Sequence, residues 1–279
     1  MSKLIINAFA DESSPILSEQ IDALKRNGLS GIEIRNVNGK GIGVHSNEEV
    51  LEIKKALDDA GLNTWSIGSA IGKVGINDDF EPHFDKLKRI VEIATMLDAK
   101  YIRLFSFYMP KNSDPTPYRD EVIERMGKFI EAAKGSGVLL CHENEKGIYG
   151  DTASRCLELH KALPELGCIF DPANYIQGNQ NTLECWDLLG DYVSYMHIKD
   201  ALIDGRVVPA GKGAGNIPEL LKKYINNGGK GVTLEPHLSI FDGLANLERE
   251  GEKTLIGEYQ FPSKEAAFDA AVDALKAII

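Results

Sequence analysis

The sequence predicts an α/β protein, a single (β/α)8 TIM barrel spanning residues 1–279. Three observations predict it. Short apolar runs alternate with longer amphipathic stretches, glycine-containing stop signals separate the two, and eight such units divide the chain into pieces of about 35 residues. Alternating strand–helix units imply a parallel sheet, and eight of them imply closure. The competing fold, a doubly wound open sheet, calls for a Gly-rich phosphate turn after the first strand. Here that strand is followed by Ala10-Asp11-Glu12-Ser13-Ser14.

The strand-like runs lie at 4–9, 31–35, 63–67, 101–105, 138–143, 167–171, 193–199 and 231–235. Helical spacing is read at 48–57, 88–97, 121–133, 153–163 and 264–278. In the first of these, Val50, Ile53, Ala56 and Leu57 recur at three- and four-residue steps on one face. Ser46 and Ser263 precede acidic first turns, so each can cap free N–H groups at the positive end of a helix. Asn27-Gly28, Ala60-Gly61, Ser136-Gly137 and Gly228-Gly229 stand just before strands, where glycine can take the left-handed geometry that ends a helix.

Composition bounds the function. The 279 residues carry 42 acidic against 31 basic side chains, a formal charge of −11, which counts against a main task of gripping nucleic acid. No run of about 18 apolar residues is long enough for a bilayer span, and the start reads as too short for a secretory signal. Cys141, Cys156, Cys168 and Cys185 form no C-x-x-C pair and read as reduced, buried thiols of a cytoplasmic protein.

In a barrel of this kind the chemistry sits at the C-terminal ends of the strands. Four consecutive strands, the fifth to the eighth, end in Glu143, Asp171, His197 and Glu235. A charged residue at a strand end often only marks the point where the chain meets solvent. Four such groups on one rim, however, would repel one another without a cation. Three carboxylates and an imidazole suit one divalent metal ion, Mn²⁺, Mg²⁺ or Co²⁺ best, with Zn²⁺ also compatible.

Such an ion would polarise a carbonyl and stabilise an enediolate, so that a carboxylate could take the adjacent proton. Return of the proton to the opposite face is epimerisation, return to the neighbouring carbon is isomerisation, and loss of a β-substituent is a lyase reaction.

Ile102-Arg103-Leu104-Phe105-Ser106, His142-Glu143-Asn144-Glu145, Phe170-Asp171-Pro172-Ala173-Asn174, His197-Ile198-Lys199-Asp200, Gly211-Lys212-Gly213 and Glu235-Pro236-His237 together resemble the xylose-isomerase-like TIM barrels. That superfamily of the AP endonuclease family 2 type includes sugar phosphate isomerases and epimerases, ketose 3-epimerases, inosose dehydratases and endonuclease IV. The resemblance implies one metal held at Glu143, Asp171, His197 and Glu235, with the two glutamates working on opposite faces of a small sugar or polyol. It also implies a homo-oligomer, a dimer or tetramer. A metal-dependent lyase acting on a keto-inositol or 3-keto-glycoside is the runner-up. An endonuclease would need more histidines at the site and a basic face.

Candidate substrate contacts are Asn174, which stands where ketose 3-epimerases carry a histidine, Lys199, Arg206 and His237. Lys199 shares a strand face with His197 and could donate to substrate or pair with Asp171. Glu33 and Arg35 share a face of the second strand, as an ion pair or a substrate contact. His142 should point outward and play a structural part, and His160 reads as a solvated helix residue. His45 and His83 lie in or after loops near the mouth, and Trp65 and Trp186 read as packing. The turn Gly211-Lys212-Gly213-Ala214-Gly215 fits a phosphate cradle or a plain loop equally well.

Overall fold

The computed structural model describes residues 4–241, 255 and 259–279, so the first three residues of the start considered above lie outside it. Eight parallel strands close into one barrel: β1 (Ile5–Ala8), β2 (Gly31–Ile34), β3 (Asn63–Ile67), β4 (Tyr101–Leu104), β5 (Leu139–Glu143), β6 (Gly167–Phe170), β7 (Val193–Ile198) and β8 (Gly231–Leu234). Neighbours in sequence are neighbours in space, and β8 returns to β1 with Ile5 opposite Gly231. Six of the eight strands stop one residue short of the expected ends, while β3 and β5 end as expected. The rim residues Asp171, Lys199 and Glu235 therefore leave the sheet at the mouth.

The outer layer is formed by α1 (Leu17–Arg26), α2 (Asn47–Asp59), α3 (Glu81–Met96), α4 (Arg119–Ala133), α5 (Ala153–Ala162), α6 (Pro172–Gln177), α7 (Thr182–Leu189), α8 (Ile217–Asn226) and α9 (Lys264–Lys276). In α2, Val50, Ile53 and Leu57 are buried, and Ser46 closes a full capping box with Glu49. Ser263 caps α9 through the Ala266 N–H. Gly28, Gly61, Gly137 and Gly228 all have positive φ, the left-handed geometry their stop signals called for. Helices α6 and α7 follow β6 at once; neither leaves a long periodic signature. The main core lies between barrel and helices, and a second cluster of Trp65, Cys141, Ile169 and Tyr195 fills the barrel's interior. The four cysteines are buried and unpaired. Among the described residues no helix is long and apolar enough to cross a membrane.

Two buried histidines make the fold acid-sensitive. His160 is not solvated as the helix pattern suggested. It is 1% exposed, with Nδ1 at 3.2 Å from the Leu166 carbonyl and its ring stacked on Tyr192. The Nε2 of His83 accepts the Gly72 N–H, which requires a lone pair there. Burial pushes both imidazoles down, to about 4.

The unfolded chain takes up these protons near pH 6.5 while the folded one does not, so stability is full above pH 6.5 and falls as pH drops. Each histidine should remove about 2 kcal/mol between pH 6.5 and 5, at about 1.4 kcal/mol per pH unit. Urea unfolding at both pH values should show the loss, and His160→Gln should flatten the slope. A variant slope equal to that of the wild type would refute the assignment.

Candidate metal centre

Strand parity sends Glu143 and His197 into the barrel mouth, and the chain just beyond β6 and β8 adds Asp171 and Glu235. One ligand atom from each of the four residues can be chosen so that all lie within 4.8 Å of one another, and all four side chains are buried. His197 Nδ1 stands 2.9 Å from Glu143 Oε1 and 3.4 Å from Glu235 Oε2. Its Nε2 lies 3.2 Å from Glu33 Oε2 on the other side.

Asp171 is fixed by its local sequence. It is the N-cap of α6, with Pro172 at the first helical position, and its Oδ1 accepts the Asn174 N–H at 3.0 Å. A reciprocal pair to Asn144 holds its backbone, with Asn144 Nδ2 donating to the Asp171 carbonyl and the Asp171 N–H donating to Asn144 Oδ1, both at 3.0 Å. Oδ2 is left facing the mouth. Among the described residues its close partner is the Lys199 ammonium, 2.8 Å away.

Lys199 also donates to Glu235 Oε2 at 3.0 Å, so it bridges two of the four candidate ligands. Asn174 lies alongside, with Nδ2 donating to the Asn144 carbonyl at 2.8 Å and reaching Glu143 Oε1 at 3.5 Å. His237, in left-handed backbone geometry, donates its N–H to Glu12 Oε2, and its Nε2 is 3.4 Å from both Glu12 Oε1 and Glu235 Oε1. Three of the four expected substrate contacts therefore border the candidate ligands. Arg206 is not brought to them: it sits on the turn between the short strands Asp200–Ala201 and Val207–Val208 and pairs with Asp204 at 2.8 Å.

The structure adds Arg103 to the site and places Arg35 beside it. Arg103, at the end of β4, donates from Nη1 to Glu143 Oε2 at 3.1 Å and lies 3.6 Å from Glu235 Oε1, so one guanidinium touches both glutamates. The carbonyls of Gly68 and Ser69 and the rings of Phe9 and Phe105 hold it in place. Arg35 forks onto Asp11 at 2.8 and 2.9 Å and approaches Glu12 at 3.4 Å. Glu33 and Arg35 are thus both ion-paired at the site, but not with each other. Arg103 stands in an apolar run at an inward position, which is the signal that marks it; nothing local marks Glu12.

Electrostatics follow from this crowding. Six buried carboxyl groups (Asp11, Glu12, Glu33, Glu143, Asp171 and Glu235) face three permanent cations, Arg35, Arg103 and Lys199. Burial pushes the Glu143 carboxyl up, but His197 and Arg103 more than offset it and hold it down at about 2. Burial raises Asp171 to about 7 against the pull of Lys199, and it raises Glu12 to about 8 against Arg35. Burial alone would depress His197, yet Glu143 and Glu33 hold it well above its ordinary value.

The donor set fits a divalent cation. Asp171 Oδ2 is spared from capping, His197 Nδ1 lies within 3.4 Å of two glutamates, and the Lys199 ammonium already sits in a cluster rich in carboxyl groups.

Two further expectations are settled. The Gly211–Gly215 turn does cradle an anion, but the anion is Asp200, whose carboxylate accepts the N–H groups of Gly211, Gly213 and Gly215 at 2.8–3.0 Å. A Cβ at Gly213 or Gly215 would lie within 2.3–2.5 Å of that carboxylate, so glycine is required for the approach. His142 points away from the mouth, to Ser106 Oγ at 3.0 Å and the His160 ring.

Comparison with known proteins places the chain. It shares 18% identity and a TM-score of 0.71 with 3-keto-D-glucoside 4-epimerase YcjR from E. coli, with 99% of each chain covered. An IOLI protein with a bound zinc atom gives 16% identity and a TM-score of 0.75 over 99% of this chain and 98% of that one. A xylose isomerase-like TIM barrel protein from Mycobacterium smegmatis in complex with magnesium gives 15% and 0.71 over 99% and 97%. No curated protein matches the sequence. The model of the xylose isomerase-like TIM barrel family matches residues 21–250, and the chain belongs to that family.

Proposed function

We propose that this chain is a divalent-metal-dependent isomerase or epimerase of a small sugar or polyol, with Glu143, Asp171, His197 and Glu235 holding the metal. The observation that carries the reading is the convergence of two glutamates, an aspartate and an imidazole nitrogen in one buried cluster, with Arg103 touching both glutamates. Relatives crystallised with zinc and with magnesium support the metal, and an epimerase among them supports the reaction class. A bound divalent cation supplies Lewis acidity to a carbonyl and its neighbouring hydroxyl, making the adjacent C–H acidic.

The protein's own groups do the rest. Glu143 and Glu235 lie 2.9 and 3.4 Å from His197 Nδ1, so one, entering ionised, takes the substrate proton and the other, entering protonated, delivers its own to the opposite face. Arg103 contacts both carboxyl groups and helps hold them in place. Asn174, Lys199 and His237 border the same space and hold substrate hydroxyls. Because Asp200 fills the Gly-rich turn, that turn offers no phosphate site.

The test is metal analysis followed by incubation with ketoses, inososes and 3-keto-glycosides in D₂O. One divalent ion per chain, with deuterium entering recovered sugar, supports the reading. No stoichiometric ion after Mn²⁺ or Zn²⁺ addition would overturn it, and an eliminated product would move the chain to the lyases.

A further inference from the structure

We infer that Glu33 is a positioning residue for the metal: it holds His197 by Nε2 and so makes Nδ1 the nitrogen presented to the ion. The inference rests on the metal reading above and goes beyond it. Glu33 is not among the four ligands, lies on the opposite side of the imidazole and is fully buried.

Its carboxylate is committed at both oxygens. Oε2 faces His197 Nε2 at 3.2 Å, while Oε1 accepts from Ser66 Oγ at 3.2 Å and from Tyr195 OH at 3.1 Å. Ser66 Oγ and Tyr195 OH are 3.0 Å apart, so the three groups form a closed triangle on the barrel interior. Tyr195 is two residues before His197 on β7, and Glu33 and Ser66 are register partners on β2 and β3. The triangle therefore ties the His197 strand to the far wall of the barrel, and the ring edge of His197 packs on Phe9 at 5.3 Å.

Both ring nitrogens face carboxylates, but those at Nδ1 are candidate metal ligands and Glu33 is not; with a cation held there, Nδ1 would give it the lone pair and the one remaining ring hydrogen would sit on Nε2, where Glu33 accepts it. A carboxylate behind a ligating imidazole fixes its tautomer and raises its donor strength, and its loss typically weakens metal binding 10–100-fold.

The experiment uses the full chain with Mn²⁺ and Zn²⁺ as probes. Free Mn²⁺ measured by electron paramagnetic resonance gives the Kd of wild type, Glu33→Gln and Tyr195→Phe. Long-range ¹H–¹⁵N correlation spectra of the Zn²⁺-loaded wild type identify the metal-bound nitrogen without any variant. Expected are Nδ1 bound and Nε2 protonated in the wild type, an Mn²⁺ Kd raised at least tenfold in Glu33→Gln, and a smaller rise in Tyr195→Phe, which leaves the Glu33–His197 bond in place. A merely structural Glu33 would shift the unfolding of the metal-free protein and leave Kd unchanged. An unchanged Kd in Glu33→Gln, or Nε2 bound to zinc, overturns the inference while the metal reading stands. A wild type that takes up neither ion overturns the metal reading, and the inference with it.

Discussion

If the proposed reaction holds, Glu143→Gln and Glu235→Gln should each lower turnover by roughly a hundred- to ten-thousand-fold, the range a positioned acid or base contributes. Each should still hold its metal through an amide oxygen. The two variants should fail differently. If the carboxylates serve opposite faces of the substrate, removing one leaves the other able to exchange the proton on its own face. Each variant should then wash deuterium into one epimer only while interconversion stops. If the reaction is isomerisation through a single base, one variant should lose both exchange and turnover and the other should keep most of them. Bound Mn²⁺ must be measured in the same samples, because both residues are also proposed ligands. Full turnover in either variant with its metal retained would refute the assignment.

That Glu143 and Glu235 come together is legible in the sequence because both stand at the ends of strand-like runs on one barrel rim. Side chains alternate along a strand, and Glu143, Asp171, His197 and Glu235 each follow an apolar run that leads to the barrel mouth. The same parity placed Lys199 beside His197. What parity cannot supply is the partner across the barrel. Glu12 meets His237 across 225 positions, and it does so only because β8 pairs with β1. Glu33 reaches His197 across 164 positions, through the barrel interior.

Short-range rules failed where the element is short or the packing is tertiary. Helix α6 has six residues, less than two turns, so it shows no periodicity, and only the Asp171-Pro172 pair hints at its cap. His160 has the polar side chain of a solvated helix residue but sits on the buried face of α5 with Ala153 and Cys156, where Tyr192 and the Leu166 carbonyl enclose it. The Gly211–Gly215 turn had the composition of an anion cradle and is one, but the sequence does not show that Asp200 is the anion it closes on.

Lys199→Met should destabilise the metal-free protein by about 3–5 kcal/mol, the usual result of removing one partner from a buried ion pair. The loss should be largely recovered on adding Mn²⁺. Lys199 is 6% exposed and lies 2.8 Å from Asp171 Oδ2 and 3.0 Å from Glu235 Oε2, so without it two buried carboxylates face each other with one cation fewer. Those same two oxygens are proposed to bind the metal. The ammonium and the ion therefore neutralise the same charge, and each lowers what the other can gain. It follows that Mn²⁺ should bind the methionine variant at least as tightly as it binds the wild type, although the site has lost a polar residue. Ligand binding to the folded state stabilises in proportion to RT ln(1 + [L]/Kd), so Mn²⁺ should raise the urea midpoint of the variant by more than that of the wild type. Substrate binding should move the other way, with KM rising as the hydroxyl donor is lost. Urea unfolding with and without Mn²⁺, together with an Mn²⁺ titration, measures all of this except KM. A variant as stable as wild type without metal, or one that no longer binds Mn²⁺, would show that Lys199 does not stand in for the cation.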